Sequence, residues 1–236
     1  MCGRYVLEDF EELSERLIQV PLRYQFHPED TYNAAPTQTL PVIVEEGEGW
    51  TVRGMHWGLI PRWTKPGEKP KTMPINARSE TLAEKRMFSP LLKDHRCLVP
   101  ISGFYEWKAQ PTRANGSSKQ PYFIHRRDVP LMLLAGLYDE ARDADGEEQP
   151  PRGSFTIITT SANDRLAPLH DRMPVVLDDE AASVWMDPDE TEPEPLTHLL
   201  APFPDEEIDA YPVSRAVNNT RLNTPDLIER IAADDA

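Results

Sequence analysis

Cys2 is the residue with the most distinctive chemistry in this 236-residue chain, because it directly follows the initiator Met1. Removal of an initiator methionine requires a small second residue, and cysteine meets that requirement. The mature chain is then expected to begin with Cys2, which would carry a free α-amine and a thiol with ordinary pKa values of about 8 and about 8.5. Such a 1,2-aminothiol condenses with an aldehyde to a Schiff base, and the thiol closes onto the same carbon to give a five-membered thiazolidine. The alternative is an incidental thiol behind a retained Met1.

The stretch PINARSET carries an amide, a guanidinium and a carboxylate at alternate positions, on Asn76, Arg78 and Glu80. Successive side chains of an extended backbone point to opposite faces, so these three would share one face. The pattern predicts a polar wall on one side of the strand. A strand edge that faces water is the alternative.

Two further side chains are suited to moving protons. Glu106 lies between aromatic residues in SGFYEWK, inside a predicted strand, where an unpaired carboxylate is costly to bury. Such a glutamate can have a raised pKa and carry protons; a glutamate that accepts hydrogen bonds from backbone amides is the alternative. His170, in LHDRMP, belongs to the only side-chain class that titrates unperturbed near neutral pH, although loop histidines are often structural.

The stretch MHWGLIPRWTKP mixes aromatic residues with cations, a composition typical of surfaces that stack bases and hold phosphates. Trp57 is followed by the apolar Leu59 and Ile60, and is expected in the core. Trp63 is the better candidate for stacking.

The hydrophobic pattern predicts the elements that must position these residues. Residues 7–18 show helical periodicity, so an amphipathic helix is expected close to Cys2. PINARSETLAEKRMF is expected to pass from an extended piece into a helix, and short helices are expected at residues 178–186, 196–201 and 225–232. The predicted strands are TLPVIVEE, WTVRGMHW, RCLVPI, GFYEWK, PYFIHR, LMLLAGLYDE, SFTIITTS and MPVVL. These elements predict an α+β fold, a single domain built on a largely antiparallel, barrel-like β-sheet with flanking helices.

Charge is distributed unevenly along the chain. The net charge is −15, which by itself opposes a nucleic-acid partner, yet residues 53–127 carry 15 Lys and Arg against 5 Asp and Glu. This basic centre indicates either a phosphate-binding surface or salt bridges to the acidic remainder. Acidic stretches at 143–148 and 190–209 would repel DNA unless they point away from it.

The two cysteines, Cys2 and Cys97, provide neither a disulfide framework nor zinc-ligand spacing, so we expect no metal and no cofactor. Cys97 lies in an apolar run and is expected to be buried in a strand. No signal peptide and no apolar run of membrane-spanning length is evident, which predicts a soluble, cytoplasmic protein without a membrane partner.

Seven stretches in the order of the chain resemble the SRAP family, the SOS response-associated peptidase domain. They are MCGRY, YNAAPT, WGLIPRW, INARSET, GFYEWK, LHDRMP and PVSRAVNN. The resemblance runs from Cys2 to about Asn219 and predicts an SRAP domain over residues 2–222, followed by a C-terminal helix and acidic tail at 223–236. It implies a single α+β fold around a barrel-like antiparallel sheet, with a basic groove for single-stranded DNA.

The resemblance also implies roles for individual residues. Cys2, once Met1 is removed, would be joined to an abasic site through a thiazolidine. Asn76 would orient the sugar, Glu106 would assist ring opening and the proton transfers of the amine, and His170 would handle the proton of the sugar oxygen. The residues expected to contact DNA or shape its groove, together with Trp63, are Arg4, Asn33, Arg78, Arg172, Ser214 and Arg215.

The predicted function is therefore that of a monomeric sensor and covalent trap of abasic sites in single-stranded DNA, acting in the DNA damage response. Autoproteolytic removal of Met1 and a lyase reaction are associated expectations. Two alternatives stay open: a thiol peptidase or amidohydrolase with Cys2 as its N-terminal nucleophile, and a non-catalytic module that binds single-stranded DNA.

Overall fold

A computed structural model describes residues 2–47, 49–65, 68, 70–110, 118–127, 129–140 and 153–232. The strands are β1 (Tyr5–Leu7), β2 (Leu22–Tyr24), β3 (Thr31–Ala34), β4 (Thr39–Glu45), β5 (Trp50–Trp57), β6 (Asn76–Arg78), β7 (Arg96–Ile101), β8 (Gly103–Gln110), β9 (Ser118–Arg126), β10 (Met132–Asp139), β11 (Ser154–Ser161), β12 (Arg172–Pro174), β13 (Val176–Leu177) and β14 (Ile208–Pro212). The α-helices are α1 (Phe10–Leu17), α2 (Leu91–Asp94), α3 (Asp179–Met186) and α4 (Pro193–His198), and 3-10 turns occupy Ser79–Thr81, Asp205–Glu207, Arg215–Asn218 and Pro225–Ile228.

The strands form two sheets whose pairing is mostly antiparallel. One sheet has the order β14-β9-β8-β1-β3, and the other runs β12-β11-β10-β7-β4-β5-β2. In the second sheet β11 also pairs with β5, so that β11, β10, β7, β4 and β5 close into a ring. The pairs β11–β5, β11–β6 and β2–β5 are parallel. The α+β fold with a barrel-like sheet is confirmed.

The register of these strands follows from their apolar patterning. β4 and β5 form the expected antiparallel pair, and Val42, Ile43 and Val44 of β4 are fully buried. β7 is buried along its whole length, as a strand covered on both sides must be, and it contains the buried Cys97. Burial of this apolar surface is the main favourable contribution to folding.

One buried arginine joins helices to the sheet. Arg96 at the start of β7 donates hydrogen bonds to the carbonyl oxygens of Leu92, Lys93, Trp185 and Asp187, which end α2 and α3. A cation is favoured at the C-terminal end of a helix, where backbone carbonyls lack partners. Burial lowers the pKa of Arg96.

Two expected helices are absent from their predicted positions. After β6 the chain forms a 3-10 turn and further turns, because Leu82 and Phe88, six residues apart, are both buried and would lie on different faces of an α-helix. The helix predicted at 225–232 is a 3-10 turn over Pro225–Ile228, after which Arg230 forms an isolated bridge with Val213. The helix predicted at 196–201 begins earlier, with Pro193 in its first turn.

The acidic stretch at 190–209 is partly neutralised within the fold. Asp209 lies 2.8 Å from Arg165, 3.4 Å from Arg230 and 3.9 Å from Arg127. Glu207 pairs with Arg126 over 2.8 Å. These carboxylates therefore repel DNA less than their number suggests. The acidic insertion at 143–148 lies outside the described residues.

No helix in the described part of the chain is both long enough and apolar enough to cross a membrane.

Candidate functional site

The second residue of the chain is held inside the fold. Cys2 is fully buried and packs in the main hydrophobic core. The carbonyl oxygen of Cys2 accepts a hydrogen bond of 2.9 Å from Nδ2 of Asn76, the first residue of β6. This contact brings Asn76, in the stretch PINARSET, to the N-terminal cysteine.

The thiol of Cys2 is held in its protonated form. Its pKa is raised above the ordinary value first by burial and then by the negative charge of Glu106. Glu106 lies in β8 and is itself buried, so the predicted proton carrier and the thiol occupy one electrostatic environment. Burial alone raises the pKa of the other cysteine, Cys97. A carboxylate beside a protonated thiol is suited to accept its proton.

Asn76 is positioned by pairing along β11. In the parallel register Asn76 lies opposite Ile157 and Arg78 opposite Thr159. The preceding residue, Ile75, accepts a hydrogen bond of 3.0 Å from the indole of the buried Trp57. Oδ1 of Asn76 is buried and has no hydrogen-bond partner among the described residues. Asn76 therefore holds Cys2 with one end of its amide and leaves an acceptor available at the other.

Tyr5 is a buried polar residue near Cys2 that the sequence did not indicate. Its ring packs against Trp57 with centroids 5.1 Å apart, and its hydroxyl has no hydrogen-bond partner within the described ranges. Burial, with a smaller contribution from Cys2, raises the pKa of this phenol. The tyrosine in MCGRY was the available signal, but nothing in the sequence distinguished it from a core aromatic.

His170 and Arg172 lie at the far end of β11 from Trp57. Nδ1 of His170 lies 2.8 Å from a carboxylate oxygen of Asp171 and 3.0 Å from the backbone nitrogen of Arg172. The guanidinium of Arg172 binds both carboxylate oxygens of Glu80 and the carbonyl of Thr159. Arg172 thus ties β12 to the turn after β6. Glu80 lies in that 3-10 turn, so the extended backbone whose alternation predicted a shared face ends at Arg78.

Arg4 and Asn33 connect the N-terminal strand to the C-terminal segment. Nη1 of Arg4 donates to Oδ1 of Asn33 over 2.6 Å and to the carbonyl of Val217 over 2.9 Å. Nδ2 of the buried Asn33 lies within 3.2 Å of the carbonyls of Val217, Asn219 and Leu222. Both residues therefore make contacts within the protein that hold the C-terminal segment to the N-terminal strands.

The remaining residues expected at a DNA surface differ in exposure. Trp63 is 58% exposed, and Arg78 and Arg215 are also exposed. Ser214 accepts a hydrogen bond from the backbone N–H of Ala216 and caps the 3-10 turn that carries Arg215. Trp57, expected in the core, is fully buried.

Within the described residues no group of three or more His, Cys, Asp and Glu side chains is placed to hold a metal ion. The protein groups that meet at Cys2 are a thiol, an amide and a carboxylate.

These features define an α+β protein with a thiol centre at the N-terminal end of the chain, backed by an asparagine and a glutamate from two different sheets. The chain belongs to the SOS response associated peptidase (SRAP) family, whose model matches residues 1–220.

Relatives of known name extend over nearly the whole chain. The chain is 39% identical over 232 residues to the abasic site processing protein YoqW of Bacillus subtilis, covering 97% of this chain and 99% of that protein. It is 32% identical over 241 residues to the abasic site processing protein YedK of Escherichia coli, covering 98% and 100%. A crystal structure of a protein from Bacteroides thetaiotaomicron superposes with a TM-score of 0.81 at 26% identity, covering 98% of this chain and 100% of that one.

Proposed function

We propose that this protein recognises abasic sites in single-stranded DNA and captures them covalently through Cys2, after removal of Met1. The protein would act in the DNA damage response. The names of the relatives YoqW and YedK, which process abasic sites, support this proposal. The abasic site provides the aldehyde that an N-terminal aminothiol requires, in the ring-opened form of its deoxyribose.

The reaction proceeds in two balanced steps. The α-amine of Cys2 adds to the aldehyde carbon, and loss of one water gives a Schiff base. The thiol sulfur then adds to the same carbon, its proton passes to the nitrogen, and the thiazolidine ring closes. Because amine and thiol belong to one residue, the second bond forms without a further encounter. The product no longer carries the aldehyde that promotes strand cleavage by β-elimination.

The observation that carries the proposal is the double role available to Asn76. Its Nδ2 holds the carbonyl of Cys2, and its Oδ1 is a buried acceptor without a partner among the described residues. A buried acceptor of this kind is costly unless a bound group satisfies it. A hydroxyl of the opened sugar is suited to donate this hydrogen bond, which would place the aldehyde carbon beside Cys2.

Glu106 and His170 would carry the protons. Glu106 shares the environment of the Cys2 thiol, so it would accept the thiol proton and deliver it to the imine nitrogen as the ring closes. His170 would protonate the sugar oxygen as the ring opens. The structure positions His170 two residues before β12.

The strand would be held by side chains around this centre. Arg78, the last residue of β6, is exposed and would bind a flanking phosphate, and Trp63 would stack on a base. Arg172, Ser214 and Arg215 would shape the groove, with Arg4 and Asn33 supporting it from beneath. A single strand fits this arrangement because stacking on a side chain requires an unpaired base.

The finer enzymatic expectations are part of the same proposal. Cys2-dependent autoproteolysis would remove Met1, and a lyase reaction could accompany capture. We further propose that the protein acts as a monomer in the cytoplasm, associated with DNA.

Intact mass spectrometry before and after incubation with an abasic single-stranded oligonucleotide tests the proposal. We expect loss of Met1, followed by an adduct equal to the oligonucleotide minus one water. Cys2→Ser, prepared with Met1 removed by an aminopeptidase, should form only a hydrolysable imine, whereas Cys97→Ser, the matched control, should crosslink normally. An adduct of Cys2→Ser that persists as long as that of the native chain would refute the proposal. Equal binding of abasic and intact strands without any adduct would favour a non-catalytic binding module.

A further inference from the structure

We infer that Asp139 is a positioning residue for DNA binding, which fixes the loop carrying Trp63 by binding Arg62 through both its backbone and its side chain. The inference rests on the proposed function, because it concerns how the single strand is held before capture. It assigns Arg62 the role of an anchor that holds the loop to the protein, although its charge and its place beside Trp63 suggest a phosphate ligand.

Both carboxylate oxygens of Asp139 accept a hydrogen bond from Arg62. Oδ2 accepts the backbone N–H of Arg62 over 2.8 Å, and Oδ1 accepts Nε of the same residue over 2.8 Å. The Asp139 side chain is 2% exposed, so its carboxylate holds Arg62 from within the fold. Two bonds to one residue fix the orientation of the main chain immediately before Trp63.

The guanidinium of Arg62 is also held at its outer end. Nη2 lies 3.2 Å from Nε2 of His95, and Nδ1 of His95 lies 2.5 Å from a carboxylate oxygen of Asp94. The side chain of Arg62 therefore follows the surface towards α2 and the end of β10. The Nε and Nη2 atoms of Arg62 therefore contact protein groups, Asp139 and His95.

Further bonds secure the loop on either side of Arg62. The backbone N–H of Ile60 donates to Oγ of Ser154 over 2.7 Å, and the N–H of Thr64 donates to the carbonyl of Pro61 over 2.8 Å. Trp63, between these anchors, has 58% of its surface exposed. A large aromatic side chain presented on a fixed loop binds with little loss of conformational entropy, which favours stacking.

The loop lies at the edge of the sheet that carries the reactive centre. Along β11, Phe155 pairs with Trp57 at the end of β5, and Ile157 pairs with Asn76 at the start of β6. β5 and β6, the strands before and after the loop, therefore pair with successive parts of β11. The N–H of Leu59 donates to the carbonyl of Pro74, which closes the base of the loop next to Asn76.

A double-mutant cycle on binding of an undamaged single-stranded oligonucleotide tests the inference. Fluorescence anisotropy would measure Kd for the native chain, Trp63→Ala, Asp139→Asn and the double variant. We expect roughly tenfold weaker binding for Trp63→Ala, the size of one lost base stack. Asp139→Asn should weaken binding severalfold alone and add nothing in the Trp63→Ala background, because both remove the same contact.

The salt dependence of Kd distinguishes positioning from loss of charge contacts. Loss of stacking leaves the slope of log Kd against log salt unchanged, whereas loss of one phosphate contact reduces it by about 1. Asp139→Asn should retain the native slope and raise the DNA concentration for half-maximal crosslinking more than it lowers the maximal rate. Asp209→Asn, which removes another carboxylate bound by arginines, should leave Kd unchanged.

Several outcomes would overturn the inference. They are binding free-energy losses of the two single variants that add in the double variant, a changed slope of log Kd against log salt in Asp139→Asn, and native affinity in Trp63→Ala. If Asp139→Asn does not fold, Arg62→Ala replaces it in the cycle, because Arg62 is nearly half exposed and its backbone N–H still reaches Asp139. Undamaged DNA offers no aldehyde, so these results and the crosslinking of Cys2 are independent of one another.

Discussion

The side-chain amide of Asn76 donates a hydrogen bond to the backbone carbonyl of Cys2 over 2.9 Å, which joins the start of the chain to a strand 74 residues away. This bond fixes the reactive residue by its main chain and leaves the amine and thiol for chemistry. It also makes the position of Cys2 depend on the pairing of β6 with β11. The geometry of the centre is therefore a property of the sheet and not of the N-terminal segment alone.

Asn76→Asp is expected to slow crosslinking to abasic single-stranded DNA by roughly tenfold or more. The new carboxylate cannot donate to the carbonyl of Cys2, and a broken buried hydrogen bond costs about 1–3 kcal/mol. Single-turnover crosslinking followed on denaturing gels measures the rate. Asn163→Asp is the matched control, because Asn163 donates a similar 2.8 Å bond to the carbonyl of Phe203. Equal slowing in both variants would show a general loss of stability instead.

Glu106→Gln is expected to change thiol reactivity and crosslinking in opposite directions. Loss of the negative charge favours the thiolate, so the pKa of Cys2 falls and its alkylation by iodoacetamide shifts to lower pH. Crosslinking slows because the proton acceptor is lost. Peptide mass spectrometry would follow alkylation of both cysteines over a pH series.

Cys97 is the internal control for this experiment, because burial alone raises the pKa of its thiol. Its alkylation profile should be the same in the native chain and in Glu106→Gln. A parallel shift of both cysteines would mean that the substitution opens the fold. Unchanged crosslinking would exclude Glu106 as a proton carrier.

The types of the reactive residues and most of the strands could be predicted from the sequence. Alternating and continuous apolar runs identified β4, β5 and β7, because burial on one or both faces of a sheet leaves that pattern. Cys2, Asn76 and Glu106 became candidates because few residue types suit aldehyde capture, and the structure brings Asn76 and Glu106 to Cys2. Local patterns could not show that the ring closes through the parallel pair β11–β5, since that contact depends on the whole topology.

The contacts of the arginines were also beyond the sequence. Arg4 reaches the carbonyl of Val217 across 213 residues, and Arg172 reaches Glu80 across 92. A motif indicates that an arginine is present but not whether protein or DNA neutralises it. The turn that carries Glu80 replaces the expected continuation of a polar face, so its partner became visible only in three dimensions.

Asn33→Ala is expected to lower the free energy of unfolding by about 1–3 kcal/mol, because a buried amide that serves the C-terminal segment is removed. Urea denaturation measures the change. Binding of undamaged single-stranded DNA should change little under conditions where the variant is folded. Native stability combined with a large loss of affinity would instead support the groove contact that the sequence predicted for Asn33.

Glu80→Gln is expected to strengthen binding of single-stranded DNA, because the guanidinium of Arg172 is no longer paired with a carboxylate. The slope of log Kd against log salt should become steeper by about 1 if Arg172 then reaches a phosphate.

In the native chain the hydrogen bond from Arg172 lowers the pKa of Glu80 below its ordinary value. A depressed folded-state pKa means that the pair stabilises the fold above the unfolded pKa, and that this contribution is lost as pH falls through the folded pKa. Urea midpoints of native and Glu80→Gln chains should therefore differ at neutral pH and converge in acid. A constant difference across that range would show that the ion pair is not its cause, and unchanged affinity would show that Arg172 does not bind DNA.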